Sequence, residues 1–144
     1  MGLDYGRKRI GVAVSDPLGI TAQPVTTIDA RNTTGTMQQL NTLMKEYQVQ
    51  CIVLGMPLTL RGEKGNAAKS VDRFADMLKK QIKIPVVFWD ERLTSVQAER
   101  SMRHGKRKPS REKAKIDQIA AALLLQNYLD HNRHNHTLNR EEGC

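Results

Sequence analysis

Large and small side chains alternate over residues 10–15: Ile10, Val12 and Val14 on one face, Gly11, Ala13 and Ser15 on the other. A period of two over six residues predicts a strand. Its face of small residues leaves room for something packed closely against the backbone. Before it, Met1 to Tyr5 is a short apolar segment running up to Asp4, and Gly6-Arg7-Lys8 has turn chemistry. After it, Asp16-Pro17-Leu18-Gly19 predicts a second turn and Val25 to Ile28 a third short strand. Strands this short joined by tight turns form an antiparallel sheet.

From Gly35 the period becomes helical, with Met37, Leu40, Leu43, Met44 and Tyr47 on one stripe. Cys51-Ile52-Val53-Leu54-Gly55 is a continuous apolar run, the pattern of a strand buried on both faces. Gly55-Met56-Pro57 ends it, and Arg61-Gly62-Glu63-Lys64-Gly65 reads as a polar loop. Val71, Phe74, Ala75, Leu78 and Ile82 mark a second amphipathic helix, with Asn66 as its N-cap. Pro85 to Trp89 predicts a second buried strand, leading into Asp90-Glu91-Arg92.

The remainder is helical in pattern. Thr94 and Gln97 have capping-box spacing and open a helix that should stop near Gly105. Gly105 to Lys108 reads as a loop, and Pro109-Ser110 starts a long last helix through Leu129. Residues 131–144 are polar and read as a disordered tail, leaving one domain over 1–130. There is no internal repeat. The expected architecture is α/β: a mixed five-stranded sheet, three antiparallel strands then two parallel ones, flanked by helices. Ligand sites in such sheets form at the carboxyl ends of the parallel strands, near the switch in strand order.

Charge adds a location. The chain carries 23 Lys and Arg against 15 Asp and Glu, a net charge of +8 over 144 residues. Arg100, Arg103, Lys106, Arg107, Lys108, Arg111, Lys113 and Lys115 face only Glu112 within 100–115, a local balance of +7. A basic segment on a nearly neutral body implies a polyanionic partner, nucleic acid or a phospholipid surface. No apolar run reaches the length of a membrane-spanning helix and no leader pattern opens the chain, so a cytoplasmic location is expected. Cys51 and Cys144 form no zinc or disulfide framework; the expectation is an inert buried thiol and a loose terminal one. Aromatic residues make up only 4% of the chain, too few for stacking successive bases on exposed rings.

Three acids stand where stability does not call for them. Asp4 ends the first apolar segment, Glu91 lies just past the Val86 to Trp89 run, and Asp117 shares a helical stripe with Ala120, Ala121, Leu124 and Tyr128. A carboxylate facing a sheet is costly without a partner. Two acids at strand ends and one on a covering helix would converge, repel one another and require a cation. Carboxylate oxygens without Cys or His suit Mg²⁺ or Mn²⁺ and not zinc. Two such ions about 3.5–4 Å apart can activate water and stabilise the leaving oxygen at a phosphodiester.

The segments that hold these acids resemble a known family. Gly2-Leu3-Asp4-Tyr5-Gly6-Arg7-Lys8-Arg9-Ile10-Gly11-Val12-Ala13, Leu54-Gly55-Met56-Pro57 with Gly62, Asp90-Glu91-Arg92-Leu93-Thr94 and Ile116-Asp117-Gln118-Ile119-Ala120-Ala121 are similar, in order, to four signatures of the YqgF/RuvX family of bacterial ribonuclease H-like nucleases. The resemblance implies a ribonuclease H-like fold, a cytoplasmic location, divalent-metal nuclease chemistry and Asp4, Glu91 and Asp117 as the acidic triad. Members are described either as Holliday junction resolvases or as nucleases trimming the 5′ end of precursor 16S ribosomal RNA. The substrate is thus RNA, with pre-ribosomal particles as partners, or branched DNA, and the protein a monomer or a two-fold dimer. One departure stands out: the family usually has a few more residues before the glycine corresponding to Gly2. Either the natural start lies upstream, or Asp4 sits on a frayed strand that binds metal weakly.

Basic residues complete the expected site. Arg7, Lys8 and Arg9 lie beside Asp4 and can contact phosphate, Arg92 either orders its neighbouring carboxylates or touches substrate, and the 100–115 segment holds the polyanion. Two other readings follow from the same residues. A nucleic-acid or ribosome-assembly factor would keep the fold and basic loop without cleaving. An actin-like or sugar-kinase-like ATPase would use Asp4-x-Gly6 as a phosphate hairpin, but needs a second domain to close on the nucleotide.

Overall fold

The computed structural model describes residues 1–93 and 110–135. Its elements are β1 (Gly2–Tyr5), β2 (Arg9–Ser15), β3 (Ala22–Asp29), α1 (Thr33–Glu46), β4 (Ile52–Met56), α2 (Asn66–Gln81), β5 (Val86–Asp90) and α3 (Ser110–Asn135), with a 3-10 turn at Glu91–Leu93. The five strands form one sheet in the order β3-β2-β1-β4-β5. β1, β2 and β3 pair antiparallel, whereas β4 runs parallel to β1 and β5 parallel to β4.

Alternation along the strands divides the core in two. Leu3, Ile10, Val12 and Leu54 point to the face covered by α1 and α2, where they meet Met37, Leu40, Val71, Phe74 and Leu78. Ala13 and Val53 point the other way, onto Ala120, Ala121, Leu124 and Leu125 of α3. The small-residue face of β2 has found its partner. A Cβ on Gly11 would lie 1.9 Å from the Asp117 carbonyl oxygen, so α3 rests on bare strand backbone. A Cβ on Gly2 would meet that of Leu125 at 2.8 Å, so β1 also packs against the same helix, though less closely.

Several local features differ from the sequence expectation. β1 is the central strand and is not frayed: Met1 N donates to the Cys51 carbonyl at 2.9 Å, and Val53 N donates to the Met1 carbonyl at 2.8 Å. β5 is only half-buried because it is the sheet edge; Phe88 is 40% exposed and lies under the Lys79 ammonium. Gly65, not Asn66, caps α2, without a side-chain bond. Cys51 is half-buried and disulfide-bonded, correcting the expected inert thiol; the only other cysteine, Cys144, lies outside the described residues. The last helix passes Leu129 and runs to Asn135. The expected helix from Thr94 and the loop from Gly105 to Lys108 also lie outside the described residues.

α3 is tied to the β2–β3 turn by one side chain. Gln126 Oε1 accepts from Ala22 N at 2.9 Å, and its Nε2 donates to the Ile20 carbonyl at 2.9 Å. Gln126→Ala should lower the unfolding free energy by about 1 kcal/mol, because the two backbone groups it leaves can still reach water. Urea denaturation measures the difference; an unchanged midpoint would show that this tie carries no stability.

Candidate active site

β1 and β4 are neighbours in the sheet although two strands and a helix separate them in sequence, so the strand order reverses direction between them. Asp4 stands at the carboxyl end of β1, opposite Gly11 of β2, and is 1% exposed. Leu3 faces α1 and α2, so alternation turns Asp4 to the α3 side. Glu91 opens the 3-10 turn directly after β5 and is wholly buried. Its carboxylate lies over β4, where a Cβ on Gly55 would stand 2.4 Å from Oε1. Asp117 is 2% exposed on α3, with its backbone carbonyl against Gly11.

The three acids therefore share one face at one edge of the sheet, and two glycines make the approach possible. Gly55 and Gly11 belong to the strands on either side of β1, and each lacks the side chain that would keep a neighbouring element away. Periodicity placed Asp117 correctly, since Ala120, Ala121 and Leu124 are buried on the same stripe. Glu91 is not the solvated partner of Arg92 that its neighbourhood in sequence suggests.

Arg9 comes to this face from β2. Its Nε donates to Asp117 Oδ2 at 2.8 Å, an ion pair in which the arginine is one-quarter exposed and the carboxylate buried. Pairing compensates a carboxylate that burial alone would disfavour. Arg92 instead takes Asp90: Nε donates at 3.0 Å and Nη2 at 2.6 Å, and the guanidinium holds the Asp90 carboxyl below the usual carboxylate range. Arg92 thus orders a neighbouring carboxylate, and Asp90 is the residue that sequence reading passed over. An Arg two places from an Asp was the available signal.

Oxygen donors without His or Cys are the right kind for Mg²⁺ or Mn²⁺, and the space over Gly55 admits the Glu91 carboxylate. Among the described residues, no three His, Cys, Asp or Glu side chains are already gathered tightly enough to hold an ion. The basic residues divide. Arg7 and Lys8 are exposed in the β1–β2 turn, Arg111 and Lys115 are exposed and Lys113 half-buried in the first turns of α3, while Arg100, Arg103, Lys106, Arg107 and Lys108 lie outside the described residues. Cations at a helix N-terminus oppose its dipole, so stability does not account for Arg111 and Lys113 there.

No helix among the described residues is long and apolar enough to cross a membrane. A solved structure of Thermus thermophilus RuvC with a Holliday junction substrate superposes with a TM-score of 0.52 at 14% identity, covering 92% of this chain and 94% of that one. This supports the ribonuclease H-like fold. A protein of Roseiflexus sp. (strain RS-1) named "Putative pre-16S rRNA nuclease" is 47% identical over 133 residues, 92% of this chain and 94% of its own. One of the same name from Synechococcus elongatus is 46% identical over 92% of this chain and 89% of its own. The family model described as "RuvX: Holliday junction resolvase" matches residues 1–131. With the sheet order, the acids on its α3 face and nearly the whole chain matched, this protein belongs to the RuvX family.

Proposed function

We propose that the chain is a divalent-metal-dependent nuclease that hydrolyses phosphodiester bonds in the 5′ leader of precursor 16S rRNA, on pre-ribosomal particles in the cytoplasm. The observation that carries this reading is the burial of Asp4, Glu91 and Asp117 on one face at the end of β1. The names of the relatives support the substrate. Asp4, Glu91 and Asp117 would hold Mg²⁺ or Mn²⁺, which supplies an activated water and stabilises the leaving oxygen. The chain's own part is positional. Arg9 orients Asp117, Gly55 gives Glu91 its place, and Lys8, Arg111, Lys113 and Lys115 hold the polyanion beside them, together with the basic residues of 100–108. Trimming one RNA end needs no symmetry, whereas cutting both strands of a junction calls for a two-fold dimer.

A cleavage assay offering a precursor rRNA leader and a four-way DNA junction side by side with Mg²⁺ or Mn²⁺ tests this. The leader should be cut and Asp117→Asn should abolish cutting while binding persists; unchanged cutting by that variant would sink the assignment. Preferred cutting of the junction would move the substrate to branched DNA, as the family description suggests. A second reading, a nucleic-acid-binding factor that does not cleave, is favoured by the Arg9 pair on Asp117. Calorimetric titration with Mn²⁺ decides it, since absence of metal binding at the three acids would leave only the binding role.

A further inference from the structure

On the other face of the sheet, under the β1–β2 turn, lies an open cavity of 340 Å³ lined by Tyr5, Arg7, Thr33, Ser70, Arg73 and Phe74. Its size is at the small end of the range for ligand pockets. The floor is apolar: the Tyr5 and Phe74 rings stack with centroids 4.4 Å apart at an interplanar angle of 17°. The rim is cationic from two separate elements, Arg7 in the turn and Arg73 on α2. Arg73 Nη2 donates to Ser70 Oγ at 3.2 Å, which holds the guanidinium over the opening.

Four arginines are matched, Arg9 with Asp117, Arg31 with Asp29, Arg92 with Asp90 and Arg133 with Asp130. Among the described residues Arg7 and Arg73 make no ion pair, and no carboxylate lines the cavity between them. Thr33, the first residue of the 14-residue helix α1, brings the positive end of a helix dipole to the same rim. Two guanidiniums with hydroxyls beside them match the oxygens of a phosphate group, since each offers a planar fork of donors. The aromatic floor matches the nucleoside attached to it.

We infer that this cavity binds a nucleoside 5′-phosphate, with the phosphate held by Arg7 and Arg73 and the nucleoside against Tyr5 and Phe74. The sheet separates it from the three acids, so it stands whether or not these cleave nucleic acid. The group has two possible sources, a free nucleotide or the phosphorylated end of a bound strand.

Calorimetric titration of the full chain with adenosine 5′-monophosphate and with adenosine tests the inference. The phosphate should improve affinity by about tenfold or more, and Arg73→Ala should remove that gain, given the strength of charge-assisted hydrogen bonds. Arg73 is exposed, so the variant should fold as the parent does, and Arg73→Lys should recover part of the affinity. Equal binding of the two probes, or an Arg73→Ala protein that binds the monophosphate as the parent does, would overturn the inference. Asp117→Asn should keep this binding, which separates failure here from failure of the nuclease reading. Two oligoribonucleotides of one sequence, with a 5′-phosphate or a 5′-hydroxyl, then identify the source. An Arg73-dependent preference for the phosphate assigns a strand end, and equal binding alongside intact monophosphate binding assigns a free nucleotide.

Discussion

Alanine at position 11 should destabilise the chain by about 3 kcal/mol or more, the upper end of what overpacking costs, and lower the melting temperature by about 10 °C. The added Cβ would stand 1.9 Å from the Asp117 carbonyl oxygen and 2.4 Å from its carbonyl carbon, and both are helix backbone. A side chain can rotate away from such a contact, but α3 can only lift. Lifting it would open the seam where Ala13 and Val53 meet Ala120, Ala121 and Leu124. It would also draw Asp117 off Arg9. Gly35→Ala in α1 is the matched control: its Cβ would meet only the Asn32 side chain, at 3.5 Å, and a helical glycine gains up to about 1 kcal/mol from the change. Thermal melts of the two variants give the comparison, and a Gly11→Ala protein melting with the parent would mean that α3 is not seated on β2 as described.

The same contact shows how far the amino-acid pattern carries. Alternating large and small residues in β2 announced a close neighbour, and helical spacing in 116–128 announced which face of the last helix looks at a sheet; the structure joins these two halves. What joins them is not local. Arg9 and Asp117 are 108 residues apart, and no period or turn signal links positions at that distance. Glu91 owes its burial to the missing side chain of Gly55, a residue that in sequence reads only as the end of a strand. β5 misled for another reason: a continuous apolar run looks alike in a central strand and at an edge, and only the strand order tells them apart. The polar residues after Leu129 stay helical because Trp89 packs edge-on against both Tyr128 and His131, while Asp130 pairs with Arg133 one turn on. Neither contact is visible as hydrophobic periodicity.

Gly55→Ala should separate fold from chemistry where Gly11→Ala cannot. Here the added Cβ meets the end of a side chain, Glu91 Oε1 at 2.4 Å, and not a backbone. A carboxylate can swing away, so the variant should fold and melt close to the parent. It should also bind nucleic acid as tightly, because the basic residues of the β1–β2 turn and of α3 do not touch Gly55. Glu91, however, must leave its place by about 1 Å, and a reacting group misplaced by that much costs about 10²-fold in rate. Cleavage of the precursor leader should therefore fall by about 10²-fold with melting and binding retained. Gly55→Ala combined with Glu91→Ala should cut no more slowly than Glu91→Ala alone, since both act through one carboxylate. Full activity in Gly55→Ala would remove Glu91 from the proposed reaction and leave at most Asp4 and Asp117 as candidates to hold a metal.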